Sequence, residues 1–482
     1  MIDLHETPSW ASFAGPAGNA FAQAAEKTRA LASRWEGESG APVFTVGGRY
    51  TQRGWTEWTQ GFQFGNALLI FEALGDRWFL EYGRGKTMEM MAPHLSHTGV
   101  HDHGFNNIST YGNLLRMMAE GRVEKNEWEA ECYRLALKVS GAVQASRWTH
   151  VPDSLGFIHS FNGAHSLFAD TIRSLRVLAV AHSLGQVLMG EQDKKVNLLA
   201  RLLRHAETTA RYNVYFGEGR DRWDVPGRVA HESIFNVESR SYRCPSSQQG
   251  YSPFTTWTRG LAWIILGYAE ELEYLATVPE AEFAPLDLPY FPTKKAALAR
   301  FEQVAKVTCD FYIENTPPDG IPYWDTGAPN LYRIEKHLDR PADPENPFEP
   351  VDSSAAAIAA QGMLRLGLWL AAAGDPLSGK YLTAGARIAR TLMADPYLSA
   401  DPNHEGLLLH AVYHYPNGWD AAPATEAAPA RAGVAPPKTG APGAKGIPHG
   451  ESCMWGDYHL LELALYLERL ARGAEPQRFY TI

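Results

Sequence analysis

Residues 364–375 read LRLGLWLAAAGD, and this stretch carries the pattern on which the fold prediction rests. An apolar helical segment runs into Gly374, which supplies a left-handed C′ position, and Asp375 follows as a cap for the next helix. Residues 66–76, NALLIFEALGD, repeat the same order. Two helical hairpins joined in the same way predict a chain built from paired helices.

Helical periodicity extends along most of the 482 residues. Trp128, Cys132, Leu135 and Val139, for example, recur at the spacing of one helix face. Stacked hairpins of this kind predict an all-α fold, an α/α barrel; the alternative, an α-solenoid, would show closer self-similarity between repeats. The predicted helices cover residues 56–73, 77–92, 126–143, 165–184, 190–212, 257–274, 293–314, 353–373, 376–394 and 454–472.

Two segments depart from the helical pattern. Residues 1–17 are predicted to form an extended arm. Residues 421–446 are rich in Pro, Ala and Gly and cannot bury enough apolar surface to order themselves. Helical patterning resumes at Trp455, so we interpret this segment as a flexible insertion within one catalytic barrel domain that spans residues 1–482.

Charge and composition exclude several classes of partner. The chain has 44 Lys and Arg against 54 Asp and Glu, a net charge of −10, and it lacks a basic block, which argues against nucleic acid and anionic membranes. Its longest apolar stretches are shorter than the ~18 residues of a membrane span. An acidic N-terminus and four scattered cysteines favour a cytoplasmic protein without a disulfide framework. We expect a monomer or homodimer.

Two apparent ligand motifs are set aside. The sequence GRGKT at residues 83–87 ends like a phosphate-binding loop, but the first glycine of that motif would stand where Leu80 is. His97, His101 and His103 form a possible metal cluster in a Gly-bounded loop. We favour a hydrogen-bonding loop at the mouth of a site over metal binding, and we expect no metal and no cofactor.

Several motifs together suggest a sugar-binding cleft. Aromatic residues make up 11% of the chain, with 14 Trp and 21 Tyr, and such rings stack on the C–H faces of sugars. Two aspartates, Asp102 and Asp170, with histidines and an arginine, suit acid/base chemistry on an anionic sugar. Taken singly, both aspartates could instead be helix-start residues.

The order of the motifs resembles the unsaturated glucuronyl hydrolases of glycoside hydrolase family 88. The resemblance extends from about Trp58 to Tyr458, and its motifs are HDHGF at 101–105, FAD at 168–170, QGYS at 249–252, WTRG at 257–260, PYWD at 322–325, DSSAA at 352–356 and WGDY at 455–458. It implies an (α/α)6 barrel, with Asp170 as catalytic acid/base and Asp102 as its partner carboxylate. The substrate-binding residues that it implies are His101, His231, Gln249, Trp257, Arg259, Trp263, Trp58 and Phe161. The chain departs from the family pattern at Gln248, where a histidine is usual, and at Phe161, where a tryptophan is usual.

The resemblance implies hydration of a C4=C5 double bond in a terminal uronic acid of a small anionic oligosaccharide. Asp170 must then carry a proton, and we expect burial and Asp102 to raise its pKa. Arg259 is predicted either to bind the substrate carboxylate or to brace groups inside the barrel, and His101 and His231 to share the anion-binding role. The alternatives are a hydrolase of unsaturated rhamnogalacturonides or saturated uronides, a non-catalytic glycan-binding barrel, and a metalloenzyme.

Overall fold

The structure is a computed structural model that describes residues 1–5, 9–36, 40–52, 57–418, 420 and 447–480. Long helices alternate along the chain between an inner and an outer ring. The inner helices are α2 (Gln60–Leu74), α5 and α6 (His103–Asn107 and Asn113–Ala119, joined by a π-helical turn over Ile108–Gly112), α8 and α9 (Thr171–Ser174 and Arg176–Ser183), α11 (Thr258–Thr277), α13 (Ser353–Ala372) and α15 (Met454–Ala471). The outer helices are α1 (Ala14–Trp35), α3 (Arg77–Met90), α7 (Glu127–Ser146), α10 (Leu198–Tyr212), α12 (Lys294–Glu314) and α14 (Ser378–Leu392), and α4 (Ala92–Leu95) is a single turn between α3 and α5.

The inner helices close a ring. Along it, α2 contacts α5, α5 contacts α8, α8 contacts α11, α11 contacts α13, α13 contacts α15, and α15 returns to α2. The outer helices pack on this ring, with α3 on α2, α7 on α9, α12 on α11 and α14 on α13. Because the ring returns to its first helix, the fold is an all-α (α/α)6 barrel and not an open solenoid, as the hairpin pattern predicts.

Helix α13 shows why the inner helices lie inside. Every residue from Ser353 to Gly367 is buried, and most of them are small or apolar on all sides of the helix. It is long and apolar enough to cross a membrane, but 78% of its most apolar window is buried inside the barrel. Such burial is typical of a core helix.

The predicted Gly–Asp turn after α2 forms as expected, whereas the aspartate of the turn after α13 does not cap the next helix directly. Gly75 ends α2 in the left-handed region (φ 73°), and the Asp76 carboxylate accepts a hydrogen bond from the Trp78 N–H at the start of α3. Gly374 is also left-handed (φ 72°), but Asp375 accepts from the Leu377 N–H in a turn that precedes α14. Both turns therefore form, and the second helix begins three residues later than its aspartate.

The N-terminal prediction and two helix boundaries are wrong. Residues 10–17 are helical, because a 3-10 helix at Trp10–Phe13 leads directly into α1, which was not predicted. Short antiparallel strands shorten the helices predicted over 165–184 and 190–212. Within the described residues, the strands form four small sheets: β1 (Phe44–Val46) with β2 (Arg49–Thr51), β3 (Trp148–His150) with β4 (Gly156–Ile158), β5 (Ser166–Phe168) with β8 (Glu232–Phe235) and β9 (Tyr242–Ser246), and β6 (Val187–Met189) with β7 (Lys195–Asn197).

Helix α7 forms as predicted but buries the opposite face from the apolar stripe in its sequence. Trp128 is 79% exposed, and Leu135 and Val139 also face solvent. The buried face includes Gly141, where an added Cβ would lie 2.4 Å from the Ala181 Cβ of α9. Small side chains let α7 approach the inner ring, so close packing decides which face is buried.

One hydrophobic cluster includes side chains from Ile2 to Tyr480. That the chain forms a single domain over 1–482 stays a prediction. The predicted insertion at 421–446 lies outside the described residues.

Candidate active site

Asp102 and Asp170 occupy equivalent positions at the starts of two neighbouring inner helices. Asp102 is the N-cap residue of α5 and Asp170 that of α8, but neither side chain accepts a capping hydrogen bond. Both carboxylates line the same pocket instead. The alternative interpretation, in which these aspartates serve only as helix caps, is therefore wrong.

The His101 imidazole connects the two carboxylates. Its Nε2 lies 3.3 Å from Asp170 Oδ1 and 3.8 Å from Asp102 Oδ1. The imidazole is buried, whereas the aspartate side chains keep 10% and 11% of their surface exposed. The arrangement places two acids and one base at the wall of a solvent-connected pocket, which acid/base catalysis requires.

Close packing of α5 against α8 holds this group in place. The Gly104 N–H donates to Ser174 Oγ at 3.0 Å, and that hydroxyl donates to the His101 carbonyl at 2.7 Å. Gln144 Nε2 donates to the same carbonyl at 2.8 Å. The backbone of the His101–Asp102 loop is therefore fixed relative to the helix that begins after Asp170.

Gly104→Ala is predicted to disrupt this contact. An added Cβ would lie 2.0 Å from the Ser174 carbonyl oxygen, so the helices must separate. We expect a loss of about 1–3 kcal/mol in the free energy of unfolding, measured by urea denaturation, together with a lower kcat. Gly85→Ala in α3 is the control, since nothing lies within 4 Å of its added Cβ. A Gly104→Ala protein as stable and active as the control would contradict this account.

The pKa of Asp170 differs from the prediction. Burial alone would raise the pKa of Asp170, but the charge and hydrogen bond of His101 outweigh it, and the pKa of Asp170 is lowered. Burial raises the pKa of Asp102. Burial opposes the charge on His101, but the two aspartates raise its pKa above the usual 6.5. The predicted raised pKa of Asp170 is therefore wrong, because the charge and hydrogen bond of His101 outweigh the effect of burial.

His231 is not among the residues that line the pocket, and its role in substrate binding stays a prediction. Its Nδ1 accepts hydrogen bonds from the N–H groups of Gln248 and Gln249 at 3.0 and 3.2 Å. Its ring packs against Phe168 and Trp257. Burial lowers the pKa of His231 to about 4, so the ring is neutral at neutral pH, and with Nδ1 accepting, Nε2 carries its proton. It positions the loop that carries Gln249.

Arg259 reaches the pocket wall, but its guanidinium is held by protein groups. Nη1 donates to Asp352 Oδ2 at 2.7 Å and to the Val412 carbonyl, and Nη2 donates to Gln249 Oε1 at 3.0 Å and to the Tyr413 carbonyl at 2.6 Å. Of the two predicted roles, these contacts support the brace and leave no free fork for a substrate carboxylate.

Arg259→Met is predicted to destabilise the protein. It would leave Asp352, which is fully buried, without its cation, and the expected loss is about 3–5 kcal/mol in the free energy of unfolding, measured by urea denaturation. Arg77→Met, at an exposed surface ion pair, is the control and should change stability by less than about 1 kcal/mol. Unchanged stability with a raised KM would instead identify Arg259 as a substrate ligand.

Aromatic rings form the rest of the wall. Trp58 stacks on Trp455 with ring centroids 5.0 Å apart, Trp263 contacts Phe105 at 4.9 Å, and Phe161 stacks on His101 at 5.9 Å. The space between these walls opens to solvent. The pocket is lined by Trp58, Val100, His101, Asp102, Phe105, Phe161, Asp170, Gln248, Gln249, Trp257, Arg259, Trp263, Tyr413 and His414.

Tyr413 and His414 were missed as lining residues. They lie in a stretch dense in His and Tyr, HAVYHYP at 410–416, which is the only sequence signal that could have marked them. The Asp420 carboxylate accepts hydrogen bonds from the N–H groups of both residues and fixes this part of the wall.

Several quoted motifs build the frame of the pocket. Asp325 Oδ2 accepts the Tyr251 N–H at 2.8 Å and so shapes the loop after Gln249. Asp352 caps α13 while it holds Arg259. Asp457 accepts hydrogen bonds from the Leu407 and Leu408 N–H groups. These aspartates order loops that carry the lining residues.

The histidines of the 97–103 loop point to different partners. His103 contacts Ser140 Oγ and the His97 carbonyl, both at 2.9 Å, whereas His101 faces Asp170. In the described ranges, no group of three or more His, Cys, Asp and Glu side chains is arranged to hold a metal ion. The contacts of His103 favour a hydrogen-bonding role within the loop.

The chain is a helical barrel in which two carboxylates face an aromatic pocket. No protein-family model matches the chain. It is 24% identical over 364 residues to the unsaturated glucuronyl hydrolase of Formosa agariphila, with 75% of this chain and 74% of that protein covered. It is 26% identical over 428 residues to the unsaturated glucuronyl hydrolase of Bacillus sp. strain GL1, with 87% and 88% covered.

The fold comparison agrees with the sequence comparison. A crystal structure of the unsaturated glucuronyl hydrolase from Bacillus sp. GL1, described as responsible for the degradation of glycosaminoglycan, superposes with a TM-score of 0.66 at 22% identity and covers 97% of this chain and 98% of that chain. The chain is therefore a relative of the unsaturated glucuronyl hydrolases, and the resemblance inferred from its motifs is confirmed.

Proposed function

We propose that this chain removes the terminal Δ4,5-unsaturated uronic acid from oligosaccharides left by polysaccharide lyases, by hydrating the C4=C5 double bond. The observation that carries the proposal is the position of His101 between Asp102 and Asp170 at the wall of an aromatic pocket. The pocket offers a proton donor, a base and aromatic rings on which a sugar can stack.

The proposed reaction uses the vinyl ether character of the substrate, since C5 carries the ring oxygen. Asp170 protonates C4, and the positive charge forms at C5 as an oxocarbenium ion. Water adds at C5 as the Asp170 carboxylate takes up its proton. The hemiketal that results opens and releases the remaining sugar, so the catalyst is regenerated and no displacement at the anomeric carbon is needed.

The negative charge of the substrate is proposed to raise the pKa of Asp170 and so to favour its protonated form. In the structure the pKa of Asp170 is lowered, mainly by the nearby His101. A uronate that enters the pocket brings another negative charge, which raises the pKa of nearby acids. This rise favours the protonated form of Asp170 that the first step needs. Asp102 thus serves as partner carboxylate and fixes the charge on His101.

The protonated His101 is the charge that favours an anionic substrate, so activity is predicted to depend on its ionisation. The pKa of His101 is raised above 6.5, so the cation persists below that raised pKa and is lost as pH rises through it. We expect kcat/KM to fall on the alkaline side, at a pH above 6.5, because this ratio reports the free enzyme. A profile of kcat/KM against pH checks this, and an alkaline limb retained in His101→Gln would contradict the assignment.

Loss of ultraviolet absorbance tests the reaction class. Hydration removes the conjugated C4=C5 chromophore, whereas hydrolysis of a saturated uronide leaves the absorbance unchanged. We expect the absorbance of unsaturated disaccharides from hyaluronan or chondroitin to disappear with the wild type and to persist with Asp170→Asn. Turnover of saturated uronides, or only of unsaturated rhamnogalacturonides, would favour the alternative activity.

We also propose a cytoplasmic location and a monomeric or homodimeric state. The four cysteines are free in the structure, and one of them, Cys244, is exposed, which supports a reducing compartment. Sedimentation of the purified protein tests the oligomeric state.

A further inference from the structure

We propose that Trp223 and Phe254 form an outer sugar-binding subsite beside the pocket, which holds the reducing-end sugars of a longer oligosaccharide. We call these two rings the outer platform. The inference rests on the proposed function and deepens it, because it predicts that the enzyme prefers unsaturated tetrasaccharides to disaccharides.

The outer platform is a pair of large aromatic rings left open to solvent. The Trp223 residue is 51% exposed and the Phe254 residue is 44% exposed. Their centroids are 5.5 Å apart, and their planes differ by 35°. Two exposed apolar rings held side by side present a continuous face, and such faces typically mark a binding surface.

The platform is continuous with the pocket through one loop. This loop leaves the pocket wall at Gln249 and returns to it at Trp257, and both of these residues line the pocket. Phe254 precedes Trp257 by three residues, so their Cα atoms lie at most about 11 Å apart. A sugar chain that leaves the pocket along this loop therefore meets the platform within a few sugar units.

A buried arginine fixes the platform. Arg228 Nε donates to the Trp223 carbonyl at 2.6 Å, and its Nη1 donates to the Pro253 carbonyl at 3.1 Å, so one guanidinium joins the two loops. The same guanidinium lies over the Tyr215 ring at 3.6 Å. Ser252 Oγ accepts the Phe254 N–H at 3.1 Å. Because these hydrogen bonds hold the backbone of both loops before ligand binds, stacking costs little backbone conformational entropy.

The ligand of the outer platform is a sugar chain, because aromatic rings bind the C–H faces of sugars. Aromatic faces offer apolar contact to the C–H faces of pyranose rings, and the pocket beside them is proposed to take the terminal uronic acid of the same molecule. Removal of one stacking ring should weaken binding of the longer ligand and leave the shorter ligand, which ends inside the pocket, unaffected.

The test compares Trp223→Ala and Phe254→Ala with the wild type on unsaturated di- and tetrasaccharides from hyaluronan. We expect kcat/KM for the tetrasaccharide to fall about tenfold in each variant, mainly through KM, while the disaccharide value stays within about twofold. Trp128→Ala is the matched control, because Trp128 is also highly exposed but lies near the start of α7, far from Gln144, which holds the His101 loop.

Calorimetric titration separates this inference from the proposed function. With Asp170→Asn as the background, the ratio of the Kd values for disaccharide and tetrasaccharide reports the subsite without turnover. A ratio reduced about tenfold by Trp223→Ala supports the platform even if the wild type shows no hydration. An unchanged ratio, or equal losses for both ligands, overturns the platform whether or not hydration is observed.

Discussion

Replacing Asp170 with asparagine is expected to lower kcat roughly 10³- to 10⁴-fold, with KM for an unsaturated disaccharide changed by less than about threefold. Asparagine has the same size and fits the same place at the start of α8, but it can neither deliver the proton to C4 nor accept one from water. The His101 ring, 3.3 Å away, remains in place because Ser174 and Gln144 hold its backbone.

Two controls accompany this measurement. Asp339→Asn, an exposed aspartate that does not line the pocket, should leave kcat unchanged. Thermal unfolding of Asp170→Asn should match the wild type, so that a loss of activity is not a loss of fold. Turnover close to wild type in a folded Asp170→Asn protein would remove the chemical basis of the proposed function.

Asp102→Asn is expected to lower kcat roughly 10²- to 10³-fold and to shift the alkaline limb of the pH profile to lower pH. Asp102 is the largest of the charges that raise the pKa of His101, so its neutralisation lowers that pKa. His101 then loses its proton at a lower pH, and the pocket loses the cation that faces the substrate.

The shift of the alkaline limb distinguishes the loss of the Asp102 charge from a general loosening of the pocket. A variant that merely loosened the pocket would lower kcat without moving the limb, whereas the loss of a charge 3.8 Å from His101 must move it. An Asp102→Asn protein with normal kcat, or with reduced kcat and an unmoved limb, would contradict the role assigned here. The same profile recorded for Asp339→Asn gives the reference position of the limb.

The sequence was most informative where the signal is local. A left-handed glycine and a capping aspartate act within one turn of chain, so the hairpin after α2 could be predicted from residues 66–76. The sheet that contains β5 could not, because its strands have only three to five residues and their pairing joins distant segments. Short strands leave no alternation long enough to detect.

The contacts of charged and polar residues depend on partners that are distant in the sequence. Arg259 is braced by Asp352, 93 residues away, and His101 faces Asp170, 69 residues away. The sequence showed that these residue types were present and resembled a family motif, but not which atoms would meet. The prediction of a raised pKa for Asp170 failed for this reason, since it omitted His101.

The helical hairpins, the all-α class and most of the pocket residues could be predicted from the sequence, because backbone capping, periodicity and side-chain chemistry are local properties. The structure was needed to find which face of α7 is buried, that His231 holds the loop behind the pocket wall, and that the pKa of Asp170 is lowered. Those outcomes depend on packing and on charges brought together by ring closure, and no stretch of sequence contains either.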